Sequence, residues 1–222
     1  MDRKTKIIAT LGPASSSLDM IRSLVIEGMN VARINFSHGT EKDNVNAIEN
    51  VRKINKELSI ETSILADLQG PKIRIGSMPK EGVALIEGEE FTLDTTIKEG
   101  SLNSAQISYL DLPKDVNPGE KILLDDGKII LEVISTDGSS KVVTKVIEGG
   151  QLYSNKGVNL PNSKISTPSL TKKDFEDLKV AIKNEVDWIG FSFVRSADDV
   201  IELKNAIEKL NGKAKVIAKI EK

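Results

Sequence analysis

The sequence lacks cysteine altogether and holds a single histidine in 222 residues. Without thiols it can form neither disulfides nor thiolate metal sites, and one histidine cannot build a histidine cluster for a metal. Five phenylalanines, two tyrosines and one tryptophan are few for a protein that stacks bases, and the net charge of −2 gives no overall attraction to nucleic acid or anionic membranes. We therefore expect no nucleic-acid partner and no membrane partner.

Long hydrophobic runs are also missing. No apolar stretch approaches membrane-spanning length, and the amino-terminal residues 1–4 run into a strand-like segment without a signal-peptide core. The absence of cysteine fits a reducing compartment. Together these features predict a cytoplasmic protein.

Short apolar strands alternate with amphipathic helices in the two outer parts of the chain. The predicted strands are residues 6–11, 31–38, 62–68, 187–193 and 215–221. Each of the four intervening helices opens on a hydroxyl residue with an aspartate three positions later, which is typical of a capped helix start. These pairs are Ser16 and Asp19, Thr40 and Asp43, Thr171 and Asp174, and Ser196 and Asp199. The repeat predicts an α/β protein whose parallel sheet is covered by helices on both faces.

The segment between the third and fourth strands has a different period. Asp126-Gly127 and Asp137-Gly138 separate alternating segments, which indicates hairpin turns. We predict a small all-β domain inserted after the third strand, with hinges at residues 70–72 and 160–162. An insertion at the carboxyl end of a strand favours a (β/α) barrel with a lid, and an open doubly wound sheet is the alternative. The predicted parts are residues 1–70, 71–167 and 168–222.

Charged and polar side chains stand on the predicted strand ends. They are Arg33, Asn35, Ser37, Asp67, Lys219 and Glu221. A guanidinium that faces an interior is costly unless an anion meets it, so we expect these residues to line a ligand site. Two alternatives stay open: the charges pair off as a buried ion network, or Lys219 and Glu221 merely mark a fraying chain end.

Seven motifs occur along the chain in the order of one known family. They are TLGPAS at 10–15, ARINFSHGT at 32–40, DLQGPKIR at 67–74, DDG at 125–127, KGVNLP at 156–161, FSFVR at 191–195 and AKIE at 218–221. Over its whole length the chain resembles pyruvate kinase. The resemblance implies a (β/α)8 TIM barrel, incomplete here with five strands and four helices, with a small β-barrel lid inserted. It also implies transfer of a phosphoryl group from phosphoenolpyruvate to ADP, which gives pyruvate and ATP.

The same resemblance implies roles for individual residues. Arg33 and Arg74 would hold the transferring phosphoryl group. Lys219 would stabilise the charge that develops near the enolate, with Phe193 packed beneath it. The residues that would face the nucleotide are Pro13, Asn35, His38 and Lys156. From the residues alone, His38 reads as a helix-entry residue, Pro13 as part of a turn and Lys156 as part of an exposed loop.

Cations are implied in the same way. Glu221 would be one ligand of magnesium or manganese. The monovalent-cation ligands would be Asn35, Ser37, Asp67 and the Leu68 carbonyl. Potassium-dependent members usually carry glutamate where this chain has Lys72. Because a lysine ammonium can supply the same unit charge, we expect little activation by potassium.

The chain ends directly after the fifth predicted strand. In the family a second magnesium carboxylate and a C-terminal domain follow, and the full-length protein is a homotetramer. We therefore expect an incomplete fragment with negligible activity by itself. Two alternatives remain: a non-catalytic module that binds nucleotide or phosphate, and another barrel enzyme, such as a lyase, that uses phosphoenolpyruvate or pyruvate.

Overall fold

The computed structural model describes residues 4–221, so residues 1–3, which belong to the segment without a signal-peptide core, and Lys222 lie outside it. The chain divides into two compact units. The first comprises residues 4–71 and Pro168–Glu221, and the second is Lys72–Thr167. The first division falls one residue after the predicted boundary. The predicted hinge at 160–162 lies inside the second unit, where Leu160 is part of the core, and it stays a prediction.

Residues 4–221 form thirteen strands and five helices. The strands are β1 Ile8–Leu11, β2 Val31–Asn35, β3 Ser63–Asp67, β4 Val83–Leu85, β5 Glu90–Asp94, β6 Ser104–Gln106, β7 Lys121–Leu124, β8 Ile129–Thr136, β9 Lys141–Glu148, β10 Gly150–Leu152, β11 Val158–Asn159, β12 Trp188–Phe191 and β13 Lys215–Ala218. The helices are α1 Leu18–Ile26, α2 Glu41–Leu58, α3 Leu112–Asp115, α4 Lys172–Lys183 and α5 Ala197–Lys209. None of the helices within 4–221 combines the length and apolarity needed to cross a bilayer.

The first unit is a five-stranded parallel sheet with the order β1-β2-β3-β12-β13. Its strands lie side by side in chain order with a helix in each connection, and the connection between β3 and β12 carries the second unit in addition to α4. A doubly wound sheet reverses its strand order near the middle, whereas a TIM-type barrel keeps neighbours in sequence. The unit is therefore an α/β sheet of the TIM-barrel type that contains five strands within residues 4–221.

One face of this sheet packs against the helices. In β2 the side chains of Ala32 and Ile34 are buried in that core, and those of Val31, Arg33 and Asn35 on the other face are half-buried. The expectation that both faces are fully covered was wrong for this strand. The polar residues follow the period of two because successive side chains alternate between faces, and only the helix-facing set must be apolar.

Capping chemistry starts the long helices as predicted, with one exception. Thr40, Thr171 and Ser196 each form a complete capping box with the aspartate three residues later. Helix α1 is instead capped by Ser17, whose hydroxyl accepts from the amide of Met20, so the prediction of Ser16 was wrong by one residue.

The barrel strands are shorter than predicted at their carboxyl ends. In β2 the side-chain oxygen of Asn35 accepts a hydrogen bond from the Ser37 amide at 3.0 Å. The backbone carbonyl of Asn35 accepts another from the His38 amide at 3.3 Å. These bonds turn the backbone and end the strand. Strand β13 likewise ends at Ala218. The residues predicted as the ends of these strands therefore lie on loops at the edge where barrel enzymes build their sites.

The second unit has its own hydrophobic core and is mainly antiparallel. A six-stranded sheet has the order β11-β7-β8-β9-β5-β6, and β10 pairs with β4. Both predicted hairpins form, with positive φ at Asp126 and Gly127 and at Gly138. The prediction of an all-β insertion missed the single helical turn α3, whose amino end carries Pro113.

Candidate active site

Three charged residues meet at the carboxyl edge of the parallel sheet. Asp67 is the last residue of β3, Arg33 is the middle residue of the short strand β2, and Lys219 directly follows β13. The carboxyl ends of parallel strands share one edge, so residues far apart in the chain converge there.

Asp67 is the centre of this cluster and is only 2% exposed. Its Oδ2 accepts from Arg33 Nε at 2.7 Å and also contacts a terminal guanidinium nitrogen. Lys219 Nζ lies 2.9 Å from Oδ1 and 3.1 Å from Oδ2. Arg33 Nη1 donates to Thr10 Oγ1 at 2.8 Å, so β1 helps to orient the guanidinium.

These contacts settle how Arg33 is neutralised within the sheet. The anion that meets its guanidinium is the carboxylate of Asp67, and a ligand at this place stays a prediction. The alternative of an ion network holds for these three residues. Two cations nevertheless share one carboxylate, and 31% of the Arg33 side chain and 28% of the Lys219 side chain stay exposed. Glu221, whose Oε1 lies 3.6 Å from Lys219 Nζ, balances the remaining positive charge, and the exposed parts of the two cations can still be approached by an anionic ligand.

Ser192 completes the surroundings of Lys219 and carried no role in the sequence prediction. Its Oγ accepts from Lys219 Nζ at 2.8 Å and donates to the Leu68 carbonyl at 2.6 Å. The side chain is 3% exposed. Its signals in the sequence are its place in the FSFVR motif and a small hydroxyl residue at the end of an otherwise apolar strand.

Glu221 lies beside the cluster. Its Oε2 accepts from the Phe193 amide at 3.1 Å, and its Oε1 lies 3.6 Å from Lys219 Nζ. The prediction that Lys219 and Glu221 share one face of a strand was wrong, because β13 ends before them, yet the loop keeps them together. Phe193 has φ of 58°. Its predicted packing beneath Lys219 stays a prediction.

The predicted monovalent-cation ligands all lie near this edge, and three of them have hydrogen-bonded oxygens. The Asp67 carboxylate accepts hydrogen bonds from Arg33 and Lys219. The Leu68 carbonyl accepts one from the Ser192 hydroxyl, and Asn35 Oδ1 accepts one from the Ser37 amide. The ammonium that contacts Asp67 is that of Lys219. Lys72, which was predicted to replace potassium, is exposed and belongs to the second unit.

Two predicted nucleotide-facing residues lie on loops of the same sheet edge. His38 is exposed in the turn after β2, where its backbone amide donates to the Asn35 carbonyl at 3.3 Å. Pro13 is exposed in the turn after β1, where the Gly12 amide donates to Ser15 Oγ at 3.0 Å. Their nucleotide-binding roles stay predictions.

The remaining predicted cations are fixed within the second unit. Arg74 Nη1 donates to the Asn155 carbonyl at 2.8 Å, and Arg74 lies opposite Gly157 in an antiparallel bridge. Lys156 Nζ lies 2.9 Å from Asp125 Oδ1. Hydrogen bonds from the ammonium groups of Lys156 and Lys128 lower the pKa of the Asp125 carboxyl. Arg74 and Lys156 thus occupy neighbouring segments of this unit.

Glu221 fits a role as one ligand of a divalent cation. Its side chain is 37% exposed, and carboxylate oxygen is a preferred ligand of magnesium. Within residues 4–221 no group of three or more histidine, cysteine, aspartate and glutamate side chains is arranged to hold a metal. Water and substrate phosphates supply the other ligands in magnesium sites that use one carboxylate.

Comparison with known proteins agrees with the motifs. The family model described as "Pyruvate kinase, barrel domain" matches residues 2–222. The pyruvate kinase of Corynebacterium glutamicum is 43% identical over 222 residues, which cover 100% of this chain and 46% of the relative. The pyruvate kinase of Corynebacterium efficiens is 46% identical over 224 residues, which cover 100% and 47%.

A third relative, the pyruvate kinase of Sporosarcina psychrophila, is 42% identical over 221 residues, which cover 99% of this chain and 38% of the relative. The chain thus spans between 38% and 47% of the length of these three relatives. Because the family model matches almost every residue, the chain belongs to the pyruvate kinase family.

Proposed function

We propose that the protein containing this chain transfers a phosphoryl group from phosphoenolpyruvate to ADP. The observation that carries the proposal is the sharing of buried Asp67 by Arg33 and Lys219, which fixes two partly exposed cations at one edge of the sheet. In such a reaction the phosphorus–oxygen bond of phosphoenolpyruvate breaks and a bond to the terminal phosphate oxygen of ADP forms. The enolate that remains takes up a proton to give pyruvate.

The residues contribute position and charge. Phosphoryl transfer leaves the protein mainly these tasks, because charge spreads over the phosphoryl oxygens while the bonds change. The guanidinium of Arg33, held by Asp67 and Thr10, donates to the phosphoryl oxygens in the forked geometry that suits them. The ammonium of Lys219 stabilises negative charge on the enolate oxygen. Both cations are oriented before substrate arrives, so little reorganisation is needed.

Glu221 would hold a magnesium or manganese ion, which when bound neutralises phosphate charge. Arg74 is proposed to contact the phosphoryl group. Pro13, Asn35, His38 and Lys156 are proposed to contact the nucleotide. Homotetrameric assembly and a cytoplasmic location remain predictions.

The rate is proposed to depend little on potassium. The carboxylate of Asp67 already has two cationic partners, Arg33 and Lys219. An additional monovalent cation there would have to displace hydrogen bonds or share oxygens that already accept them. Replacing a non-activating cation by potassium at constant ionic strength is therefore expected to change the rate less than twofold. A large rise in rate contradicts this part of the proposal.

The test is formation of pyruvate and ATP from phosphoenolpyruvate, ADP and magnesium by the whole protein that contains this chain. Arg33→Gln removes a charge-assisted hydrogen-bond donor, so kcat/KM for phosphoenolpyruvate is expected to fall about 10- to 150-fold. Arg52→Gln is the matched control, because exposed Arg52 donates to the carbonyls of Asn184 and Glu185 at the end of α4. Absence of turnover in the unmodified protein, or equal loss in both variants, contradicts the proposal.

A further inference from the structure

The ammonium of Lys219 has a defined set of acceptors. It lies 2.9 Å from Asp67 Oδ1, 3.1 Å from Asp67 Oδ2 and 2.8 Å from Ser192 Oγ. An ammonium has three N–H donors at tetrahedral angles, so the two oxygens of the Asp67 carboxylate share one N–H and Ser192 Oγ accepts a second. The third N–H of Lys219 can therefore be donated to a substrate oxygen, and Asp67 and Ser192 together set its direction.

The three contacts differ in length and in the other bonds that each oxygen accepts. Asp67 Oδ2 also accepts from Arg33 Nε at 2.7 Å, and its contact with Lys219 is the longest of the three. Asp67 Oδ1 and Ser192 Oγ make the two shorter contacts with the ammonium. Asp67 and Ser192 thus hold the ammonium from two sides and leave its third N–H for the substrate.

Ser192 is itself held rigidly. Its hydroxyl proton is committed to the Leu68 carbonyl at 2.6 Å, so its oxygen presents a lone pair to Lys219. The loop beside it is closely packed. A Cβ placed on Gly70 would lie 3.0 Å from the Ser192 carbonyl oxygen and 3.1 Å from Ser192 Cβ.

The loop that contains Gly70 is also held by helix α4. Asp174 is fully buried, and its Oδ1 accepts from the Gly70 amide at 3.0 Å. Its Oδ2 caps the helix by accepting from the amide and hydroxyl of Thr171. One buried carboxylate therefore ties the helix start to the loop that packs on Ser192.

We propose that Ser192 is a positioning residue for Lys219, and that it directs the ammonium toward the substrate during phosphoryl transfer. This inference rests on the proposed function of the site. Ser192 acts through Lys219 and does not itself contact the reacting atoms. Its loss should therefore slow the chemical step more than it weakens substrate binding.

Steady-state kinetics of the whole protein test the inference with three variants. Ser192→Ala is expected to lower kcat about 10-fold or more, while KM for ADP and phosphoenolpyruvate changes less than twofold. Ser169→Ala is the matched control. Ser169 is 1% exposed and likewise bridges a cation and an oxygen acceptor, since it accepts from Arg195 and donates to Asp199. The control is expected to lose stability but keep kcat within twofold.

A third variant, Ser192→Thr, retains the hydroxyl and is expected to keep kcat within about threefold of the unmodified protein. It carries the test if Ser192→Ala does not fold. An unchanged kcat in folded Ser192→Ala overturns the positioning role. So does a loss of kcat in folded Ser192→Thr that equals the loss in Ser192→Ala. In both cases normal turnover by the unmodified protein leaves the proposed function intact. Absence of turnover in the unmodified protein overturns the proposed function instead.

Discussion

Removing the carboxylate of Asp174 is expected to release the loop that ends β3. Asp174 is 0% exposed and accepts three hydrogen bonds, two from Thr171 and one from the Gly70 amide. The bonds to Thr171 form a helix cap, whose loss costs about 1 kcal/mol. A buried amide without an acceptor costs about 1–3 kcal/mol. Asp174→Ala should therefore lower the free energy of unfolding by about 2–4 kcal/mol.

Hydrogen exchange separates the two contributions. In Asp174→Ala the amide of Gly70 loses its acceptor, so its exchange should accelerate about 5- to 150-fold, which corresponds to the 1–3 kcal/mol assigned to that bond. Asp43→Ala is the matched control, because Asp43 makes the same capping box with Thr40 from an exposed position. It should leave exchange at Gly70 unchanged and destabilise the protein less.

The reasoning is refuted if Asp174→Ala leaves the exchange rate of Gly70 within twofold of the unmodified protein. It is also refuted if the two alanine variants lower the denaturation midpoint equally. In the first case the Asp174 bond does not hold the loop. In the second case Asp174 contributes only a helix cap.

Three further outcomes are expected. Lys156→Gln should raise the pKa of Asp125 toward its ordinary value, since the Lys156 ammonium is the main group that lowers it, and an unchanged NMR titration contradicts this. Three backbone amides lower the pKa of Asp137, so its contribution to stability is complete above about pH 4 and is lost as the pH falls further. An NMR midpoint for Asp137 at or above about 3.9 refutes this assignment. Gly70→Ala should destabilise by about 2 kcal/mol or more, because φ is 68° and the new Cβ would lie 3.0 Å from a backbone oxygen. A change in the denaturation free energy below about 0.5 kcal/mol contradicts this reading.

The parts of the fold that depend on local chemistry could be predicted from the sequence. Thr40, Thr171 and Ser196 start helices where their aspartates indicate, and both Asp-Gly pairs turn hairpins. The error at Ser16 arose because adjacent serines offer equivalent hydroxyls. Strand ends were predicted too long because a polar residue can either continue a strand or, like Asn35, turn the backbone with its own side chain.

The parts of the site that depend on strand order could not be predicted from spacing. The sequence predicts that Arg33, Asp67 and Lys219 line one site, but which charge pairs with which depends on β2, β3, β12 and β13 standing in that order. Asp174 reads as an ordinary helix cap in the sequence. Its bond to Gly70 exists only because the start of α4 packs beside the end of β3, more than a hundred residues earlier in the chain.

The central claim is that the ammonium held by Asp67 serves the reaction and does not merely neutralise a buried carboxylate. The most direct measurement is the single-turnover rate of ATP formation by the whole protein carrying Lys219→Met, beside Lys173→Met, which removes an ammonium bonded to Asp177 and the Phe36 carbonyl. The account predicts a loss of about 100-fold or more for Lys219→Met, and a rate within threefold of the unmodified protein for Lys173→Met. A folded Lys219→Met protein that forms ATP at the unmodified rate would contradict the account.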